Sequence, residues 1–250
     1  MRNLLKVSGL ALAMLSPAAH AIPFEIDNGA SFLFSEFYVT DQGDSVGAEY
    51  AGYGNVSIVR NSDTTSAFQS SALAEMTFEF GGYEVTDVAG IITELDGGWL
   101  NLFYDTTPDF NPGTGTGYGD GSLFLALEGH DVTGDSGIIS LAFASILGLD
   151  VGGGFFDVVG GAAASIFNTN SVLDSDGFYT DMDFTFSSST LNADLLHADA
   201  SGTADLRGYA VPEPSTMLMI LLAWGIAFRK ELFSPSFLSG KRDRLGLAAA

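Results

Sequence analysis

The residues best suited to chemistry are four aspartates in the stretch LDSDGFYTDMD, which spans positions 173–183. Calcium prefers several carboxylate and carbonyl oxygens on a tight, glycine-containing turn, and Gly177 stands inside this stretch. The spacing is not that of an EF-hand, because Val172 would fall at the first ligand position. The stretch predicts either a calcium site or a turn of solvated acids, and the candidate ligands are Asp174, Asp176, Asp181 and Asp183.

No catalytic signature stands out in the sequence, and a non-enzymatic protein is predicted. Between positions 22 and 211 there are only two histidines, His130 and His197, with no GxSxG elbow, no HExxH motif and no cysteine. Glycine occupies every second position from Gly113 to Gly121, but no lysine and no helix follow, so the segment predicts a hairpin loop rather than a phosphate cradle. Apart from calcium, no cofactor is predicted. Two acids that meet in space can hydrolyse glycosides, which leaves a secreted polysaccharide-acting enzyme as an alternative.

The elements that must position these residues are short strands. Hydrophobic residues alternate with polar ones in MTFEF, positions 76–80, and in DMDFTF, positions 181–186. A period of two indicates one buried and one wet face, which places Asp181 and Asp183 on the wet face. Turns rich in glycine and aspartate separate these segments. The pattern indicates an all-β fold of antiparallel strands in a sandwich or a barrel, and the layout predicted is an antiparallel β-sandwich or jelly-roll-like body.

The N-terminus reads as a targeting segment rather than as part of the fold. Arg2 and Lys6 precede an apolar stretch from Val7 to Leu15, and Ala19 and Ala21 form a small-x-small exit. This three-part pattern predicts a secretory signal peptide, a helix over residues 1–21 that directs the chain to the general secretion machinery. Cleavage is expected after Ala21.

The charge between positions 22 and 211 is strongly negative. This segment has two arginines, Arg60 and Arg207, no lysine, and 28 aspartates and glutamates, so its formal charge is −26. Such a surface repels phosphates, which excludes nucleic acid as a partner, and it attracts cations or basic partners.

The C-terminus carries a second apolar run, STMLMILLAWGIAF, at positions 215–228. As a helix it would extend about 21 Å, which is short for a hydrocarbon core of about 30 Å. Arg229 and Lys230 follow it, and basic residues beside an apolar run favour the cytoplasmic side. The run therefore predicts a short transmembrane helix. Residues 231–250, which include three basic residues, are predicted to form a cytoplasmic extension.

The sequence around this run resembles a PEP-CTERM sorting signal. The features that carry the resemblance are the Pro-Glu-Pro triplet, the apolar run, the basic pair and the N-terminal signal; the residues are Val211, Pro212, Glu213, Pro214, Arg229 and Lys230. The resemblance implies a Gram-negative bacterium that makes exopolysaccharide, and an exosortase that cuts near the triplet. The 20 residues of 231–250 are a departure, because such signals usually end soon after the basic cluster.

Four segments follow from these observations. They are the signal peptide at 1–21, an acidic exported β domain at 22–210, the sorting signal at 211–230 and the extension at 231–250. The segments GWLNLFYDTTPDF, GFYTDMDFTF and SGTADLRGYAVPEPS resemble those of flocculation-associated PEP-CTERM proteins, which implies a matrix role in biofilms or flocs.

The expected course is export across the inner membrane, transient anchoring there, and then the cell surface or the extracellular matrix. Exopolysaccharide is the expected partner, with exposed rings such as Tyr104 or Tyr118 stacking on sugars. A membrane-anchored surface protein with an uncleaved tail is a further alternative.

Overall fold

A computed structural model describes residues 22–41, 45–134, 137–190 and 198–210 of the 250-residue chain. Their regular secondary structure is almost entirely β-strand. The strands are β1 (Ala30–Asp41), β2 (Glu49–Asn61), β3 (Ser66–Gln69), β4 (Glu75–Ala89), β5 (Ile92–Asp105), β6 (Ser122–Gly129), β7 (Val132–Thr133), β8 (Ile138–Ile139), β9 (Leu141–Ile146), β10 (Leu149–Gly160), β11 (Val172–Leu173), β12 (Tyr179–Thr180), β13 (Met182–Ser189) and β14 (Ala200–Gly208). One single-turn helix, α1, spans Ala164–Phe167 within the described part.

The large sheet closes on itself. Its antiparallel order is β1-β14-β13-β10-β6-β5-β4-β2, and β1 also pairs with β2, so eight strands form a barrel. The predicted all-β, antiparallel character is confirmed, but the layout is a barrel rather than the predicted sandwich or jelly roll. Alternation in a strand shows only that one face is buried, and it does not distinguish two facing sheets from one closed sheet. The short strands β3 and β9 extend the sheet, with β3 beside β2 and β9 beside β5 and β10.

The core fills the barrel with aromatic side chains. Phe34 and Phe78 meet edge to face at 4.5 Å, and Phe32 packs on Phe124 and Phe167 at 6.1 and 5.6 Å. Each of these side chains is at most 2% exposed. Burying a side chain of this size contributes about 2 kcal/mol relative to its exposed state. This core stabilises the fold in a chain that has no cysteine.

Glycine lets neighbouring strands approach closely where the register between β2 and β4 shifts. A Cβ atom on Gly52 of β2 would lie 2.0 Å from the carbonyl oxygen of Tyr38 and 2.5 Å from the ring of Phe80. The chain therefore needs a residue without a side chain at this position.

Three excursions leave the barrel. Residues 106–121 join β5 to β6, the β7–β8 hairpin follows β6, and residues 161–181 carry α1 and the β11–β12 hairpin between β10 and β13. The acidic turns of the sequence at 105–109, 131 and 174–181 lie in or beside these excursions.

The two predicted terminal helices, at 1–21 and 215–228, lie outside the described residues. The chain divides between Val211 and Pro212 into two units, and the first contains every described strand. No helix in the described ranges is long and apolar enough to cross a membrane.

Candidate functional site

Asp174 closes the turn between β11 and β12. Its Oδ1 accepts hydrogen bonds from the N–H groups of Asp176, at 2.9 Å, and Phe178, at 2.8 Å. Its Oδ2 lies 3.0 Å from Nε2 of His130. Burial acts to raise the pKa of Asp174, but the N–H groups and His130 outweigh it and hold this pKa below its usual value. The oxygens of this aspartate therefore hold a turn and an imidazole.

His130 joins two parts of the fold. It follows β6 directly, and its Nδ1 lies 2.7 Å from Oδ2 of Asp157 on β10, while Nε2 faces Asp174. Burial acts to lower the pKa of His130, but the two carboxylates raise it above its ordinary value overall. An imidazolium that donates to both acids leaves no ring nitrogen to activate a nucleophile. Because Asp174 is 44 residues away in sequence, spacing could not predict this bridge.

The next two predicted ligands also bind backbone groups. Asp176 accepts the N–H of Thr133 at 2.7 Å, which ties β7 to the β11–β12 turn. Asp181 accepts three N–H groups, from Val158 at 2.8 Å and from Thr169 and Asn170 at 2.6 Å each. Asp181 is only 2% exposed, so its predicted place on a wet strand face is wrong. Strand β13 begins one residue later, at Met182, and Asp181 instead terminates the preceding excursion.

Asp183 is the predicted ligand that does lie on the outer face of β13. It stands directly opposite Arg207 of β14 and is partly buried. Burial raises the pKa of Asp183, and Arg207 opposes this shift only in part. The structure therefore distributes the four predicted calcium ligands over different partners, and calcium at these residues stays a prediction.

A different group of acids lies close together in the described residues. Oxygens of Glu75, Asp105 and Asp109 all lie within 4.8 Å of one another. Glu75 is buried and accepts the N–H groups of Asp109, at 2.7 Å, and Phe110, at 3.1 Å. Burial raises the pKa of Glu75 although these N–H groups oppose the shift. The group anchors the start of the long loop on the barrel.

The same loop covers the outer face of β2. The ring of Tyr118 stacks on Tyr53 at 4.3 Å, with the two planes 5° apart. Tyr104, which the sequence suggested as an exposed ring, instead packs against Phe24 and Phe68 at the edge of the core, at 6.3 and 5.8 Å. One face of Tyr118 is therefore occupied by a neighbouring ring, and Tyr104 belongs to the packing of the barrel.

One cavity in the described part of the barrel lies in its interior. This cavity of about 40 Å³ lies among aromatic and aliphatic side chains, with Asp150 and Ser188 at its polar boundary. Sites for small molecules usually measure 300–1,000 Å³. This cavity is therefore a small void within the described core.

The residues of the predicted termini lie outside the described ranges. These are the cleavage residues Ala19 and Ala21 and the sorting residues Val211, Pro212, Glu213, Pro214, Arg229 and Lys230. Signal cleavage stays a prediction.

Comparison with known families gives one match. Residues 210–230 match the family model of the PEP-CTERM protein-sorting motif. No curated protein and no solved structure matches the chain. The sorting signal predicted from the sequence is therefore confirmed, and it supports an exported protein that an exosortase sorts.

Proposed function

We propose that this chain, which carries a PEP-CTERM sorting motif, is a non-enzymatic protein of the cell surface or extracellular matrix. An exosortase separates the barrel from the apolar run at 215–228, and the barrel then associates with exopolysaccharide in a biofilm or floc. The observation that carries this proposal is the motif at 210–230, which begins only two residues after β14 ends at Gly208.

The arrangement around His130 supports a non-enzymatic role. Both of its ring nitrogens face carboxylates, and Asp174 and Asp181 of the excursion accept backbone N–H groups. A general base needs a free ring nitrogen within reach of a hydroxyl or a water. The histidine therefore acts as a structural link between β6, β10 and the β11–β12 hairpin.

The charge of the barrel supports an association that depends on divalent cations. With a formal charge of −26 over residues 22–211, most of the barrel surface repels anionic polysaccharide, and divalent cations between the two reduce this repulsion. A chelator should therefore release part of the protein from isolated matrix. Retention that is unchanged by chelator would contradict this mode of association.

The decisive experiment maps the C-terminus of the protein recovered from matrix, membrane and medium by intact mass and peptide sequencing. Processing predicts a C-terminus close to Pro212–Thr216 without the apolar run. A variant with alanine at Pro212, Glu213 and Pro214 should accumulate uncleaved in the membrane. Pro235→Ala, which removes a proline in the extension, should be processed normally.

Two results would contradict the proposal. An intact chain ending at Ala250 in the membrane fraction would identify the tail as a permanent anchor. A processed chain found only in the medium would separate sorting from any matrix role.

A further inference from the structure

The two arginines of the acidic body lie on one patch of the barrel surface. In the strand register, Ser31 of β1 pairs with Arg60 of β2 on one side and with Arg207 of β14 on the other. Directly paired residues of antiparallel strands point to the same face, so the two arginines flank Ser31 with Cα atoms about 10 Å apart. Residues 22–211 contain no other arginine or lysine.

This patch forms a concave pocket of about 680 Å³. Both arginines line it, together with Asp183, Asp205 and the hydroxyl-bearing residues of the β2–β3 turn. Tyr209, which is 59% exposed, also lines the pocket. Its volume lies within the range of 300–1,000 Å³ that is usual for small-molecule sites.

The two arginines differ in their partners. Nε of Arg207 donates to Oδ2 of Asp205 at 2.8 Å, and the other oxygen of Asp205 accepts the hydroxyl of Ser31 at 2.5 Å. Asp205 therefore fixes Arg207 in place and neutralises much of its charge. Arg60 is exposed and has no carboxylate within 4.0 Å in the described part of the chain. Its guanidinium is thus available to a ligand.

We propose that this pocket binds a carboxylate-bearing sugar unit of an acidic polysaccharide. The inference rests on the proposed function and names the polymer class that the barrel recognises. A guanidinium presents a planar fork that matches a carboxylate with two parallel hydrogen bonds. In the pocket Arg60 pairs with the sugar carboxylate, Arg207 and Asp205 bond sugar hydroxyls, and the exposed ring of Tyr209 packs on the sugar face.

The concave shape and the charge of the barrel favour a sugar chain over a membrane surface. An anionic membrane is an extended plane, and bringing it against this pocket would also bring it close to the surrounding acids. The Debye length at physiological salt is about 8 Å, so acids within that distance would repel the plane. A polysaccharide presents one protruding carboxylate at a time, and only the pocket needs to approach it.

The test measures binding of trigalacturonate to the full-length chain in a nonionic detergent by isothermal titration calorimetry. EDTA is present so that cation bridges do not contribute. The uncharged methyl ester of the same trisaccharide tests for recognition of the carboxylate, and glycerol phosphate serves as a soluble stand-in for an anionic lipid headgroup. The variant Arg60→Gln is compared with Ser122→Asp, which lowers the net charge of the chain by the same amount. Ser122 is exposed on β6, a strand that lies away from the pocket in the sheet order.

We expect trigalacturonate to bind, its methyl ester to bind at least tenfold more weakly, and Arg60→Gln to lose at least tenfold in affinity. Ser122→Asp should stay within about twofold of the unmodified chain. Equal binding by Arg60→Gln, equal binding of the ester, or no binding of trigalacturonate would overturn the inference. Binding of glycerol phosphate alone in an Arg60-dependent manner would also overturn it and identify a headgroup site.

The two proposals fail separately. If trigalacturonate does not bind but the processed protein remains in the matrix, the pocket assignment falls and the proposed function stands. If the processed protein is absent from the matrix, the proposed function falls whatever the titration shows.

Discussion

Replacing Asp181 with alanine should destabilise the barrel strongly, because this buried carboxylate holds three backbone N–H groups. The N–H of Val158 lies on a buried strand segment, and its loss of a partner would cost about 1–3 kcal/mol. Thr169 and Asn170 are more exposed, so water can replace the carboxylate there at about 0.5–1.5 kcal/mol each. The expected loss in the free energy of unfolding is therefore about 2–6 kcal/mol.

The assay is guanidinium unfolding of the full chain, followed by far-ultraviolet circular dichroism. Asp181→Asn should cost about half as much as alanine, because the amide oxygen can still accept two N–H groups while its NH2 faces the third. Asp176→Ala is the matched control, since Asp176 is exposed and accepts a single N–H, from Thr133. It should cost less than about 1 kcal/mol.

The same experiment distinguishes a structural carboxylate from a calcium ligand. If Asp181 serves the backbone alone, calcium or EDTA leaves the difference between the unmodified chain and Asp181→Ala unchanged. The reasoning is refuted if Asp181→Ala unfolds within about 0.5 kcal/mol of the unmodified chain, the range of ordinary surface substitutions. It is also refuted if EDTA alone reproduces the loss.

Two further perturbations test other parts of the fold. The pKa of His130 is raised in the folded state. The stability that its imidazolium adds through Asp157 and Asp174 is therefore fully present below the unfolded pKa of about 6.5, and it is lost as the pH rises through the folded pKa. The melting-temperature difference between the unmodified chain and His130→Gln should therefore shrink between pH 6 and pH 9. A difference independent of pH would contradict a charged bridge. Glu128, which pairs with Asp157 across the strands, is present in both proteins, so its own titration cancels in the comparison. Gly52→Ala should lower the free energy of unfolding by about 2–3 kcal/mol, because the added Cβ would overlap the Tyr38 carbonyl. Guanidinium unfolding would measure this loss. Gly160→Ala, whose Cβ would meet nothing closer than 3.6 Å, is the control and should be neutral within about 0.5 kcal/mol.

Local patterns in the sequence predict the strands but not their closure. The alternation at Met76, Phe78 and Phe80 predicts β4 with these side chains inward, and all three are buried. The pairing of β1 with both β2 and β14 brings Ser31 beside residues 29 and 176 positions away. No local period contains this information, because it depends on how eight strands share one core.

The chemistry of the acidic turn was only partly predictable. Composition marks residues 173–183 as an acidic turn, and Asp174 and Asp176 do lie in it. Where each carboxylate points depends on partners from other strands, such as His130 and Val158. The arginine pocket is similar, because Arg60 and Arg207 stand 147 positions apart and meet only through the register of β1.

The closed sheet also determines how the barrel responds to mechanical force. The sorting motif continues from β14, which is paired along eight positions with β1 on one side and along eight with β13 on the other. In an open sheet, a terminal strand at the edge can be unzipped one hydrogen bond at a time. Here β14 has no free edge, so tension applied along it from its C-terminal end shears two ladders at once and loads their bonds together. If the barrel is held by this end, β14 bears the drag of flowing water, and its pairing on both sides resists unfolding.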